Sequence, residues 1–229
     1  NAAAQCSRTY DSIHPTVSLS SSSSDPTNST PIAVSVTFSE SVSGFTASDV
    51  TLTNATLSDF SGSADSYQFV LTPDGQGTIT ADVAAGTAAD AAGNSNSAAA
   101  QFSRTYDSLN PSVLISSAVS SPTNSSPFAV DVTFSENVAD FSSADVTLSN
   151  AVLSNFSGSG AAYSFNVTPA AEGIVTIDIA AETAHDAAGN PNDAAAQFSR
   201  TYDSTAPGIT FSSASPASTN SAPIAVNVR

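Results

Sequence analysis

The chain has 229 residues, with 20 acidic and four basic side chains, and its formal net charge is −16. All four bases are Arg, and this balance excludes a nucleic-acid-binding protein, because that affinity comes from Lys and Arg neutralising phosphates. No run of about 18 apolar residues exists, so the sequence predicts no membrane-spanning helix, and the single Cys6 leaves no internal disulfide.

An internal repeat organises the chain. Related sequences of eight residues occur at 5–12, 101–108 and 197–204, always 96 residues apart, and 59 of 96 positions are identical between the two full copies. A period of this length is too long for a solenoid turn and suits one small domain. The predicted division is a last strand of a preceding repeat at 1–10, repeat 1 at 11–106, repeat 2 at 107–202, and the start of a third, incomplete repeat at 203–229.

Alternating apolar and polar residues predict strands within each repeat. In repeat 1, Ile32, Val34, Val36 and Phe38 fall on one face, which is the period of a half-buried strand. Clusters rich in Pro, Gly, Asn and Asp separate the apolar runs, as in a sandwich of short strands. The predicted strands are 15–20, 31–39, 48–54, 56–60, 66–72, 77–84 and 98–106. The fold class is therefore all-β, with tandem immunoglobulin-like β-sandwich domains of about 96 residues each.

Several short motifs resemble the bacterial Ig-like domains of large secreted and cell-surface repeat proteins. In repeat 1 they are Pro31-Ile32-Ala33-Val34, Phe38-Ser39-Glu40, Asp49-Val50-Thr51 and Asp90-Ala91-Ala92-Gly93-Asn94. Repeat 2 contains Phe134-Ser135-Glu136, Asp145-Val146-Thr147 and Asp186-Ala187-Ala188-Gly189-Asn190. The resemblance implies an extracellular stalk or adhesin module and no catalysis, which is an analogy at the level of the fold.

Acidic residues retained in both repeats are the main chemical signal. In an Ig-like sandwich, the start of the first strand shares one pole with the loops that follow the second strand and precede the last. Carboxylates gathered there repel one another unless they are protonated or bind a cation, and Ca²⁺ takes six to eight oxygen ligands. The sequence therefore predicts Ca²⁺ at the junctions between domains. The candidate ligands are Asp11, Glu40, Asp49, Asp90 and Asn94 in repeat 1, and Asp107, Glu136, Asp145, Asp186 and Asn190 in repeat 2.

A second interpretation of these acids needs no metal. Asp90 and Asn94 are residue types that satisfy the main chain of turns, and Glu40 could pair with Arg104, the base that recurs in every copy. Arg104 shares a face with Phe102 and Tyr106, which predicts an ion pair or stacking against Tyr106. His14 and His185 are not repeated, and no nucleophile-elbow motif accompanies the many Ser residues, so the chain is not predicted to be an enzyme.

The sequence predicts a non-enzymatic tandem array that acts as an extracellular stalk or spacer, with neighbouring repeats of the same chain as its partners. Two alternatives stay open. One is a filament subunit whose partial terminal repeats exchange strands with identical chains. The other is an adhesin module that binds a ligand, although the absence of Trp leaves no aromatic platform for a sugar.

Overall fold

The computed structural model describes residues 5–220 and 222–229. In repeat 1 the strands are β1 Val17–Ser20, β2 Ile32–Val42, β3 Val50–Thr53, β4 Ala55–Pro73, β5 Gly77–Val83 and β6 Phe102–Tyr106. In repeat 2 they are β7 Val113–Ser116, β8 Phe128–Val138, β9 Val146–Ser149, β10 Ala151–Pro169, β11 Gly173–Ile179 and β12 Phe198–Tyr202. A short 3-10 turn precedes β3 and another precedes β9, at Ala47–Asp49 and Ser143–Asp145.

Each repeat is built from two three-stranded antiparallel sheets. The strand orders are β1-β2-β4 and β3-β5-β6 in repeat 1, and β7-β8-β10 and β9-β11-β12 in repeat 2. The inward side chains of β2 (Ile32, Val34, Val36) and of β5 (Ile79) are at most 1% exposed and belong to one core. The predicted tandem Ig-like fold is therefore confirmed.

The 19-residue strand β4 takes the place of the two strands predicted at 56–60 and 66–72. It folds back on itself, since Asp74 N donates to Asn54 O at 3.0 Å and Gln68 Nε2 donates to Ser61 Oγ at 3.3 Å. Gly62 lies in the bend with a φ of 129°. A Cβ at this position would overlap the Ser66 carbonyl, so the close approach of the two arms requires glycine.

The other differences from the predicted bounds also lie at strand ends. β2 continues past Glu40 to Val42, with a shift in its pairing to β4 after Thr37, which is typical of a bulge. β3 begins at Val50 rather than 48, because the preceding residues form the 3-10 turn. β6 begins at Phe102 rather than 98, although Ala99 N still donates to Val83 O at 3.0 Å.

The loop between β1 and β2 is fastened to the last strand of its repeat through Thr27, which is 1% exposed. Thr27 N donates to Thr105 O at 2.9 Å, and Asp107 N donates to Thr27 O at 3.0 Å. The same two bonds recur at Thr123, which accepts from Asp203 N at 2.9 Å. Each such loop therefore holds the residue with which the next repeat begins.

Arg104 packs against a different aromatic ring from the one predicted. Its guanidinium lies 4.9 Å from the centre of the Phe102 ring, not over Tyr106. Its Nε donates to Ser23 O at 3.2 Å, and a terminal nitrogen donates to Ser21 O at 3.3 Å. The guanidinium thus donates to main-chain carbonyls of the β1–β2 loop. The carboxylate of Glu40, the other predicted partner, lies with Asp11 and Asp90.

Residues 203–229 contain a two-stranded ladder of β13 Phe211–Ser212 and β14 Asn227–Val228. Phe211 is 71% exposed, whereas Ile115 at the corresponding position of repeat 2 is 7% exposed. Val226 is 56% exposed and corresponds to Val130, which is fully buried.

No helix within the described part of the chain has the length and apolar character needed to cross a bilayer.

Candidate cation sites

Three acids meet at one pole of each repeat. In repeat 1 they come from the segment before β1 (Asp11), from β2 (Glu40) and from the loop before β6 (Asp90). One carboxylate oxygen from each lies within 4.8 Å of the others, and repeat 2 brings Asp107, Glu136 and Asp186 together in the same way. We call these the first and the second acidic group.

The loop before β6 fixes the carboxylate of Asp90, which is 7% exposed. Its Oδ1 accepts from Ala92 N at 2.9 Å and Asn94 N at 2.8 Å, while its Oδ2 accepts from Asn94 Nδ2 at 2.8 Å. The side-chain hydrogen bond from Asn94 is the main reason that the pKa of Asp90 lies below its ordinary value. Asp90 therefore stays ionised while it organises the turn, so the turn interpretation and the metal interpretation share this residue.

In each acidic group, the glutamate is the residue whose pKa lies above its ordinary value. Burial raises the pKa of Glu136, and the neighbouring charges of Asp107 and Asp186 raise it further. Burial, Asp11 and Asp90 raise the pKa of Glu40 in the same order of causes. A bound cation would favour the ionised forms, because an opposite charge nearby offsets the repulsion between carboxylates.

Asp49 and Asp145 do not join the acidic groups. Asp49 Oδ2 accepts from Thr46 N and Thr46 Oγ1, both at 2.7 Å. Asp145 Oδ2 accepts from Ser142 N at 2.8 Å and Ser142 Oγ at 2.9 Å. Both carboxylates therefore close the 3-10 turn before the third strand of their repeat, which is an N-terminal capping arrangement.

The two predicted Asn ligands turn their amide nitrogens toward the acidic groups. Asn94 Nδ2 donates to Asp11 O at 3.2 Å as well as to Asp90. Asn190 Nδ2 donates to Asp107 O at 3.0 Å and to Asp186 Oδ2 at 2.8 Å. These bonds hold the segment before the first strand of each repeat against the loop before its last strand, and the atoms that meet the acidic groups are amide nitrogens, which are hydrogen-bond donors.

The carboxylates fit a calcium ion by spacing and chemistry. Ca²⁺–oxygen distances near 2.3–2.6 Å place two ligands of one ion up to about 5 Å apart, and the three oxygens of each group lie within that span. Three carboxylates leave places for main-chain carbonyls and water among the six to eight oxygens that Ca²⁺ takes. The residues in each acidic group could therefore hold one divalent cation.

The raised pKa of Glu136 predicts how stability depends on pH when a chelator removes divalent cations. The folded state favours the protonated form, so this contribution to stability is complete below 4.5, the ordinary glutamate pKa. It is lost as pH rises through the folded-state pKa. We expect repeat 2 to gain stability as pH falls from neutral, and Glu136→Gln to lack that gain in denaturant unfolding at a series of pH values. Parallel profiles for the variant and the wild type would contradict this origin.

Sequence reasoning missed the asparagines that hold the loop behind each acidic group. Asn96 and Asn192 are 2% and 1% exposed, and Asn192 Oδ1 accepts from Thr183 N at 2.9 Å and Ala184 N at 2.8 Å. Its Nδ2 donates to Ala180 O at 2.9 Å. Their identity in both repeats was a signal that could have found them, since Asn retained in a loop indicates main-chain hydrogen bonds.

Comparisons with known proteins identify a family and a similar solved structure. The solved structure of the Yersinia pseudotuberculosis adhesin InvE is similar at 13% identity and a TM-score of 0.31, and the match covers 82% of this chain and 58% of that chain. None of the curated proteins matches the sequence. A family model described as bacterial Ig-like domain matches residues 11–106 and 107–204. The chain therefore belongs to the bacterial Ig-like domain family.

Proposed function

We propose that this chain is a non-enzymatic spacer in an extracellular adhesin-type array, and that Ca²⁺ bound at the poles of its repeats stiffens the junctions. The observation that carries the proposal is the position of the second acidic group. Asp107 belongs to this group, and its main-chain N–H donates to Thr27 O in repeat 1. An ion bound there would sit where one repeat meets the next.

The short connection between the repeats supports a mechanical role. β6 ends at Tyr106, and the next residue, Asp107, is already hydrogen-bonded to Thr27. Ser108 is held next, because Gln76 Nε2 donates to Ser108 Oγ at 2.7 Å and Ser108 N donates to Gln76 Oε1 at 3.0 Å. Both residues of the connection are therefore bound to repeat 1, which restricts motion between the domains. A spacer of constant length requires such a restriction.

The charge pattern supports an extracellular array bound to calcium. The chain has a net charge of −16, and a charge far from zero keeps crowded modules apart. Three carboxylates within 4.8 Å add local repulsion at each pole. A Ca²⁺ ion bound there would offset this repulsion, because it attracts all three carboxylates at once. It would thereby connect the linker, β8 and the loop before β12.

Thermal unfolding of the whole chain, with Ca²⁺ and with chelator, tests the proposal. A ligand that binds only the folded state stabilises it by about 1.4 kcal/mol for each tenfold rise in free ligand above the dissociation constant. We expect the midpoint to rise with Ca²⁺ concentration. Glu136→Gln should reduce the rise for repeat 2 and leave that for repeat 1, and Glu40→Gln should do the reverse.

Asp49→Asn provides a matched control, because Asp49 lies outside the acidic groups and should leave the calcium response intact. A midpoint that does not move with Ca²⁺ up to millimolar concentration would overturn the calcium role. A response that survives in the double variant Glu40→Gln with Glu136→Gln would show that the ion binds elsewhere.

A further inference from the structure

We propose that Asn28 of repeat 1 docks on Asn190 of repeat 2, and that this contact sets the relative orientation of the two repeats without any cation. Asn28 Nδ2 donates to Asn190 Oδ1 at 3.1 Å. The two residues are separated by 162 positions in the chain and lie in different repeats. The β1–β2 loop of repeat 1 therefore contacts the loop before the last strand of repeat 2.

Hydrogen bonding within repeat 2 determines which atom of Asn190 faces Asn28. Its Nδ2 donates to Asp107 O and Asp186 Oδ2, and a flipped amide would place an oxygen against two acceptors. The amide orientation follows from its hydrogen-bond network, so Oδ1 is left for a donor from repeat 1. Asn190 thus joins the linker, its own loop and the preceding repeat, and its oxygen is engaged by Asn28 rather than directed at the second acidic group.

The two repeats of one chain offer an internal comparison of burial. Asn190 is 4% exposed, whereas its counterpart Asn94, at the pole of repeat 1, is only half-buried. Asn28 is half-buried, whereas its counterpart Asn124 is exposed. Ala188 is buried beside Asn190, but the corresponding Ala92 is exposed. The same sequence positions are therefore covered where the two repeats meet and open where they do not.

The two loops also lie within van der Waals reach of each other at Gly189. A Cβ built on Gly189 would lie 3.7 Å from Asn28 Nδ2, which is ordinary van der Waals contact. Asn28 also follows Thr27, whose main chain is bonded to Thr105 and Asp107. The donor is thus presented from a loop whose main chain is fixed to β6 and to the first residue of repeat 2.

Distances between nitroxide labels in the whole chain test the contact. Labels at Thr78→Cys in β5 and Thr147→Cys in β9, both exposed positions, report the spacing of the repeats once Cys6→Ser has removed the native thiol. The measurement is made in chelator, so its result does not depend on calcium binding. We expect Asn28→Ala to widen the distance distribution about twofold, since domains without a firm interface move relative to one another.

Asn124→Ala is the matched control, because it makes the same change in the same loop of repeat 2, where the side chain is exposed. It should leave the distribution unchanged. Asn28→Asp keeps the shape but offers only acceptors to Asn190 Oδ1, and should widen the distribution as Asn28→Ala does. An unchanged distribution in both Asn28 variants would overturn the proposal, as would equal widening in Asn124→Ala. Thermal unfolding of each variant verifies that the repeats stay folded.

Discussion

Replacing Asn192 by Ala is expected to lower the free energy of unfolding of repeat 2 by about 3 kcal/mol. The side chain is 1% exposed and satisfies main-chain groups on both sides of the loop before β12. Thr183 N and Ala184 N donate to its oxygen, and its nitrogen donates to Ala180 O and Asp193 O. Alanine would leave the buried Ala184 N without its acceptor and would remove the partner of the other three groups, and an unsatisfied buried group costs more than a made bond contributes.

Denaturant unfolding that resolves the two repeats measures this loss. Asn96→Ala should produce the same loss in repeat 1, because Asn96 Oδ1 accepts from Ala88 N at 2.8 Å and Asn96 Nδ2 donates to Ala84 O at 3.0 Å. Asn110→Ala is the control, since Asn110 is exposed and makes one bond, to Asp193. Its effect should stay within about 0.5 kcal/mol. A comparable loss in all three variants would show that burial of Asn192 is not the cause.

Arg200→Met is expected to lower the stability of repeat 2 by about 2 kcal/mol. The guanidinium lies 4.1 Å from the centre of the Phe198 ring, and Nε donates to Val119 O at 3.1 Å. Another nitrogen donates to Ser199 O at 2.8 Å. Met keeps most of the apolar contact with Phe198, so the loss measures the charged hydrogen bonds and the cation–π attraction.

Arg200→Lys separates these two contributions. Lysine keeps the positive charge over the ring but lacks the planar fork that reaches two carbonyls at once. We expect an intermediate stability, measured by the same denaturant unfolding. A Lys variant as stable as the wild type would show that charge alone suffices, and a Met variant as stable as the wild type would contradict the structural role of Arg200.

The alternation of apolar residues was enough to predict the sandwich because inward side chains recur at every second position of a strand. Ile32, Val34 and Val36 show this period, and all three are buried. The strand ends were less predictable. β4 and the turn before β3 depend on main-chain conformation, such as the positive φ of Gly62, which leaves no mark in the apolar period.

The candidate cation sites were predictable in part. Retention of Asp11, Glu40 and Asp90 in both copies, together with the strand order, placed them at one pole, where the structure has them. Asp49 was assigned to the same set because it lies beside the same connection between strands. Its carboxylate instead accepts hydrogen bonds from Thr46, three residues earlier, and closes a local turn. The contact between Asn28 and Asn190 joins distant loops, and no local pattern encodes such a pairing.

The bonds made by Thr27 have a consequence for a chain under tension. Thr27 is joined to Thr105 O and Asp107 N, so a pull on the chain can pass from β1 through the loop to Thr27 and then directly into repeat 2. The segment from Asn28 to Arg104, which contains most of the core of repeat 1, lies off this route. The hydrogen bonds at Thr27 would thus carry load before β2 to β5 do, and a repeat could resist stretching while most of its core stays unstrained.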